Sequence, residues 1–122
     1  MDLEDILEMF CDITGADGTD TSLTPLIMGG LELVQSRLTV DEETIDTTGI
    51  MCCEFAAAAA AAYEYVCIRA DKETPVMSEN GEVKIRRSFP ELVKDMMKLR
   101  ESAFGVLAAA GLISSGFAFR AV

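Results

Sequence analysis

The side chains that could do chemistry in this sequence are carboxylates and thiols, because the chain contains no histidine. Its 122 residues include 21 Asp and Glu and four cysteines. Without imidazole there can be no Ser-His-Asp triad, no Cys-His dyad and no zinc site that needs a histidine ligand. The side chain best suited to proton transfer near neutral pH is also missing. The composition therefore argues against an enzyme, and a catalyst built on carboxylates alone is the least favoured class.

The four cysteines do not form a metal-binding pattern. Cys11 and Cys67 are isolated, there is no CxxC pair, and the adjacent Cys52 and Cys53 would point about 100° apart on a helix. The first five residues are acidic where a secretory signal would be basic. We expect reduced thiols packed as small apolar groups in a cytosolic protein, with no metal and no cofactor.

Two charged motifs in the sequence could bind ligands. Residues 17–20 (Asp-Gly-Thr-Asp) resemble the start of a calcium loop, but Met28 stands where the bidentate glutamate would be. Lys84, Arg86 and Arg87 form a small basic cluster. Three charges give little nonspecific affinity for DNA, so this cluster favours the acidic surface of a neighbouring protein.

The net charge of −11 is unevenly distributed. Residues 1–64 carry 14 acids and one base, Arg37, whereas residues 65–122 carry seven acids and nine bases. So acidic a chain is a poor binder of nucleic-acid backbones. The opposed halves suit head-to-tail contacts between copies, although most acids are expected to coat solvated helix faces.

Apolar periodicity predicts a mainly α fold, a four-helix bundle-like domain. Asp2 is expected to cap the first helix and Gly15 to end it in a left-handed conformation. Pro25 fits the first turn of the second helix, with Thr21 or Thr24 as its cap. Gly111 is expected to end the last helix. The predicted helices cover residues 3–14, 22–38, 49–71 and 88–111.

Seven consecutive alanines, residues 56–62, dominate the third helix. Side chains this small favour close approach by neighbouring helices, and Gly29-Gly30 in the second helix offers a matching smooth surface. Glu54, Glu64 and Asp71 are expected on another side of this helix. Because Glu54 and Glu64 interrupt the apolar stretch, we expect no membrane span.

Two segments have no place in a simple bundle. Asn80-Gly81 predicts a small β-hairpin over residues 76–87, between the third and fourth helices, with Met77, Lys84 and Arg86 on one face. Residues 112–122 form an apolar tail that carries Phe117 and Phe119. We therefore expect one helical domain over residues 1–111 and a tail that docks on a neighbour or folds back on its own bundle.

The order of these elements resembles a known family. "LEDILEMFCDITG", "LTPLIMGGLELVQSRL", "CCEFAAAAAAAYEYV" and the joint "SENGEVKIRRSFPELVKDM" resemble the head–tail connector (head-completion, or adaptor) proteins of tailed bacteriophages and prophages. The resemblance covers roughly residues 3–112. It implies a helical bundle with a small hairpin and a structural role without catalytic residues.

The resemblance also implies partners and a location. Such connectors form a ring of about a dozen copies beneath the portal, at the head–tail junction of the virion, after assembly in the host cytoplasm. An acidic ring would let DNA pass without binding it, and portal and tail (stopper) proteins would be neighbours. The alternative is a stand-alone acidic binding protein, such as a DNA mimic. The expected subunit and portal interface comprises Met77, Lys84, Arg86, Arg87, Phe117 and Phe119.

Overall fold

The computed structural model describes residues 1–72 and 89–116, and within them the fold is mainly helical. Short 3₁₀ turns lie at Thr21–Leu23 and Glu42–Thr44, each shortly before a helix. The only β pairing in the described ranges is an isolated antiparallel bridge between Leu38 and Ile113. The hairpin predicted over residues 76–87 lies outside the described residues. The helices are α1 (Leu3–Thr14), α2 (Thr24–Arg37), α3 (Thr47–Lys72) and α4 (Phe89–Ala109).

Local signals fix both ends of α1. The Asp2 side chain accepts a hydrogen bond from the Glu4 N–H at 2.9 Å, which caps the first turn. Gly15 follows the helix with φ 73°, and its N–H donates to the Cys11 carbonyl. Ile6 and Phe10 face the core and are fully buried. The predicted cap and end of α1 are confirmed.

The start of α2 differs from the prediction. Neither Thr21 nor Thr24 caps the helix. Instead Asp20 accepts hydrogen bonds from the N–H and hydroxyl of Ser22 and so caps the preceding 3₁₀ turn. Pro25 sits in the first turn of α2 as expected. The first turn of α2 has no side-chain cap of its own, because the 3₁₀ turn that Asp20 caps leads directly into it.

The alanine run makes α3 the central helix. Residues 56–62 are all buried, and seven successive helical positions cover every direction around the axis. Their neighbours are α1, α2 and α4, each of which packs against α3. The stretch Thr47–Arg69 is long and apolar enough to span a membrane, but half of its most apolar window is buried in the bundle. Its apolar character is accounted for by this central position.

Close approach between α2 and α3 occurs at Gly30. A Cβ added at Gly30 would lie 2.2 Å from the carbonyl oxygen of Ala57, a distance that no real contact allows. A Cβ added at Gly29 would meet nothing within 4 Å. The predicted match between the glycine pair and the alanine run is therefore confirmed for Gly30 and wrong for Gly29.

Helix α4 runs antiparallel to α3. Leu112 lies beside Gly49 near the start of α3, and the Arg100 guanidinium lies 4.0 Å from the centre of the Tyr63 ring. Gly111, at φ 76°, ends α4 as expected. The Gly111 and Leu112 N–H groups donate to the carbonyls of Ala108 and Leu107, the two bonds of a Schellman motif. Phe89 and Lys72 therefore lie at the same end of the bundle.

The chain beyond α4 packs back on the start of the bundle. Leu112 accepts hydrogen bonds at its carbonyl from the Thr39 N–H (2.9 Å) and hydroxyl (3.2 Å). Ile113 is only 4% exposed and belongs to the core. At least the first residues of the predicted tail therefore dock on their own chain.

Two side chains lie in unexpected environments. Glu54, predicted on a solvated side with Glu64, is 3% exposed because the start of α1 covers it. Val106, an apolar residue of α4, is 51% exposed, whereas Ala103, Phe104 and Leu107 are buried. The buried residues of α4 are thus at positions 103, 104 and 107, while Met96, Leu99 and Ala108 pack against the core from partly buried positions.

Candidate functional site

A groove of about 790 Å³ lies between α1 and the first half of α3. Each helix contributes residues at i, i+3, i+4 and i+7, the spacing of a single helix face. We call this feature the acidic groove. Its lining residues are Asp5, Glu8, Met9 and Asp12 of α1, Thr47, Ile50, Met51 and Glu54 of α3, and Met1, Asp2 and Ile45.

The groove combines a charged wall with an apolar floor. Asp5, Glu8 and Asp12 are exposed along α1, at spacings where like charges repel and destabilise an isolated helix by about 0.2–0.5 kcal/mol per pair. No lysine or arginine among the described residues forms an ion pair with them. Met51 is 54% exposed on the opposite side. This arrangement lets a cation bind by its charge and its aliphatic part together.

Two glutamates, Glu54 and Glu42, anchor the first residues of the chain beside the groove. The buried Glu54 accepts a hydrogen bond through Oε2 from the Asp2 N–H at 2.9 Å. This N–H belongs to the start of α1, where backbone donors lack partners within the helix and a negative charge is favoured. Glu54 therefore joins the beginning of α1 to α3.

Glu42 binds the α-amino group of Met1 through Oε1, in a hydrogen-bonded ion pair. That hydrogen bond raises the pKa of the amino group above its ordinary value. The same bond holds the pKa of Glu42 below its usual range. The contact fixes the segment before α1 against the 3₁₀ turn that precedes α3.

The other acidic motif, residues 17–20, is used by local turns. Asp17 Oδ1 accepts hydrogen bonds from the N–H (2.9 Å) and hydroxyl (2.8 Å) of Thr19. Asp20 makes the corresponding pair of bonds to Ser22. These bonds lower the pKa of both aspartates. Among the described residues no cluster of three or more His, Cys, Asp or Glu is placed to hold a metal ion.

The cysteines are free thiols in apolar or partly apolar surroundings. Cys53 is fully buried, and burial raises its pKa to about 11. Cys11, Cys52 and Cys67 are half-buried. Burial also raises the pKa of Cys11, with a further contribution from the nearby Asp12 and Asp17. Neither Cys11 nor Cys53 has an environment that favours a reactive thiolate.

The six residues predicted for the subunit and portal interface all lie outside the described residues. Lys84, Arg86 and Arg87 belong to the segment that joins Lys72 to Phe89, and Phe117 follows the last described residue, Gly116. Sequence reasoning missed the acidic groove. Its signal was the spacing of Asp5, Glu8 and Asp12, which identifies one face of α1 but not the α3 face opposite.

Comparison of the chain with protein-family models, with curated proteins and with solved structures finds no match. The function is therefore inferred from the geometry and charge of this chain.

Proposed function

We propose that this chain is a structural subunit, a head–tail connector (adaptor) of a tailed bacteriophage or prophage, which assembles as a ring below the portal and lines the DNA passage. The fold proposed with it is a helical bundle completed by a small hairpin over residues 76–87. Portal and tail (stopper) proteins are the proposed partners, at the head–tail junction of the virion.

The observation that carries this proposal is the position of the two segments that leave the bundle. Residues 73–88 connect Lys72 to Phe89 at one end of α3, whereas the tail leaves from Ile113, which pairs with Leu38 at the other end. Helix α3 has 26 residues and is therefore about 39 Å long. A subunit with attachment segments at both ends of a rigid bundle suits a part that joins one layer of an assembly to the next.

Charge also supports an assembly around DNA. The acidic first half would repel a DNA backbone, so a ring that presented it to the channel would let DNA slide without adhering. Within the described residues, the core of the bundle is filled by the buried alanines. The passage would therefore lie between subunits rather than through one.

The test is the native mass of the purified full-length chain, alone and mixed with a candidate portal ring, with negative-stain images of the same samples. A closed ring in either sample is the expected result. A chain that stays monomeric alone and shows no association with any portal tested would refute the proposal.

A second candidate is a DNA mimic that occupies a nucleic-acid-binding protein. It is favoured by one observation, the row of exposed carboxylates Asp5, Glu8 and Asp12 on a single face of α1. Such a protein would be a monomer or dimer and would compete with DNA for its target. The same mass measurement separates the two functions.

A further inference from the structure

We infer that the free α-amino group of Met1 is a structural ligand of this fold, and that an acyl group on its nitrogen is the modification that releases the start of α1. The groups that bind the first residues are two carboxylates from different parts of the chain. Glu42 lies in the 3₁₀ turn before α3, and Glu54 lies within α3. The modified atom is thus the backbone nitrogen of position 1, and the element that responds is α1.

Two neighbouring contacts hold the first residues of the chain. The ammonium group of Met1 donates a hydrogen bond to Glu42 Oε1 within an ion pair. One residue further on, the Asp2 N–H donates to Glu54 Oε2 at 2.9 Å. Glu42 also accepts a hydrogen bond through Oε2 from the side-chain amide of Gln35, at 3.4 Å. The amino group of Met1 therefore meets a carboxylate that a second partner also orients.

The charges around the amino group favour its protonated form. Its hydrogen bond to Glu42 is the main reason that its pKa is raised, and the charges of Glu42, Glu54 and Asp2 act in the same direction. The same hydrogen bond lowers the pKa of Glu42. Each partner therefore stabilises the charged form of the other, which is the behaviour of an ion pair that contributes to folding.

Buried groups depend on this anchor. Glu54 is only 3% exposed because the start of α1 covers it, and the Met1 side chain packs against the core. Ile6 is fully buried, and its N–H donates to the Asp2 carbonyl at 3.2 Å. Release of position 1 would therefore loosen the first turn of α1 and admit water to Glu54.

An acyl group changes the Met1 nitrogen in two ways. A formyl or acetyl amide carries no positive charge, so the ion pair with Glu42 is lost, and the one N–H that remains makes a weaker bond. The acyl oxygen is a hydrogen-bond acceptor, and it would lie beside carboxylates that are acceptors as well. Acylation thus removes an attraction and adds a repulsion at the point where the chain enters α1.

Cys11 makes a direct test practical. A synthetic thioester of residues 1–10 can be ligated to residues 11–122, which begin with this cysteine, and the full sequence is left unchanged. Three full-length proteins are compared, in which Met1 carries a free amine, a formyl group, or a hydrogen atom in place of the amine. Each is also made with Glu42→Gln. The matched control is Glu43→Gln, which changes an exposed carboxylate in the same turn.

Amide hydrogen exchange at pH 7 measures the response of α1. In the wild-type sequence, formylation and removal of the amine should each speed exchange in the first turn of α1 about fivefold. Exchange in α4, which packs mainly against α3, should not change. The fivefold effect should persist with Glu43→Gln. With Glu42→Gln, formylation should change the rate less than about twofold, because the partner of the amine is already gone.

A pH series separates the charge of the amine from its bulk. The folded amine has a pKa raised above 8.0, so its contribution to stability is complete below pH 8 and is lost as the pH rises through the folded value. The difference in unfolding free energy between the free-amine and des-amino proteins should therefore narrow above pH 8. The titration of Cys53 is common to both proteins and cancels from this difference.

Three results would overturn the inference. They are equal exchange of α1 in the three wild-type proteins, an effect of formylation as large with Glu42→Gln as without it, and a natural chain that carries residues before Met1. A stability difference that stays constant from pH 6 to 10 would also count against it, since the charge of the amine would then contribute nothing. All these measurements concern the folded monomer, so their failure leaves the proposed ring assembly untouched.

Discussion

Gly29 and Gly30 are neighbours in α2 with opposite structural requirements. Gly30 lies against the backbone of Ala57, and a methyl group there would overlap the carbonyl oxygen. Gly29 points into open space and gains nothing from the lack of a side chain. Successive helical residues point about 100° apart, so one glycine faces α3 and the other does not. The pair in the sequence predicts a close approach without indicating which residue makes it.

The two glycines therefore give a matched pair of variants. Gly30→Ala should destabilise the fold by about 2 kcal/mol or more, because α2 must move away from the rigid backbone of α3. Gly29→Ala should stabilise it by up to about 1 kcal/mol through helix propensity. Urea unfolding followed by circular dichroism measures both. Equal effects of the two substitutions would mean that the helices do not meet at Gly30.

Cys53 couples stability to pH in the alkaline range. Burial raises its pKa from 9.0 to about 11, so the folded state keeps a proton that the unfolded state loses first. The associated stability is complete below pH 9 and declines as the pH rises towards 11, by at most about 2–3 kcal/mol.

The expected result is a steeper alkaline loss of stability for the wild type than for Cys53→Ala. Unfolding free energies measured by urea titration between pH 8 and 11, with reductant present, give the two slopes. Cys52→Ala retains the buried thiol and should keep the wild-type decline. Parallel curves for the wild type and Cys53→Ala would contradict this coupling.

At the scale of elements, α3 sets the spacing of the whole bundle. Alanines on every side allow three helices to approach one axis closely. The larger buried side chains that stabilise the bundle therefore lie on the surrounding helices; they include Phe10, Val34, Phe104 and Leu107. Enlarging an alanine would disturb more than one neighbour.

Ala62→Leu should cost about 1–3 kcal/mol, since Ala62 is fully buried and overpacking forces its neighbours apart. Ala59→Leu should behave in the same way. Ala109→Leu, at an exposed position of α4, is the control and should change stability by less than about 0.5 kcal/mol. Melting temperatures and urea midpoints measure the difference. Insensitivity of the fold to Ala62→Leu would remove the central role given to α3.

Local chemistry explains which elements were predictable. The Asp2 cap, Gly15 and Gly111 act within one turn of the chain, so their effects can be predicted from neighbouring residues. The burial of Glu54 depends on where the start of α1 packs against α3. This contact joins Asp2 and Glu54, which are 52 positions apart in the sequence. The acidic groove depends in the same way on two helix faces distant in sequence. Sequence periodicity identifies a face but not the face opposite it.

At the scale of the whole molecule, the segments proposed for assembly leave from opposite ends. The tail leaves beside Leu38, and the join between α3 and α4 lies at the Lys72 end. Ile113 belongs to the core, so the part of the chain available to a neighbour begins after it. The two functions of residues 112–122, folding and docking, can therefore be separated by the site of truncation.

Deletion of residues 117–122 should leave the monomer folded and weaken association, because the core contact of Ile113 is retained. Deletion of residues 113–122 removes that buried side chain and should cost about 2–4 kcal/mol of stability. Thermal unfolding and sedimentation velocity of both truncations test the separation. Wild-type association after the shorter deletion would assign the tail no part in assembly.

The pairing of Leu112 with Thr39 also determines how the molecule would respond to a pull. A pulling force on the chain after Gly116 would act first on the two hydrogen bonds to the Leu112 carbonyl and on the pairing of Ile113 with Leu38. While these contacts of Leu112 and Ile113 hold, the force is transmitted to the end of α2, and the last turn of α4 is not unwound. These contacts would therefore protect α4 from unwinding when a force is applied at the tail.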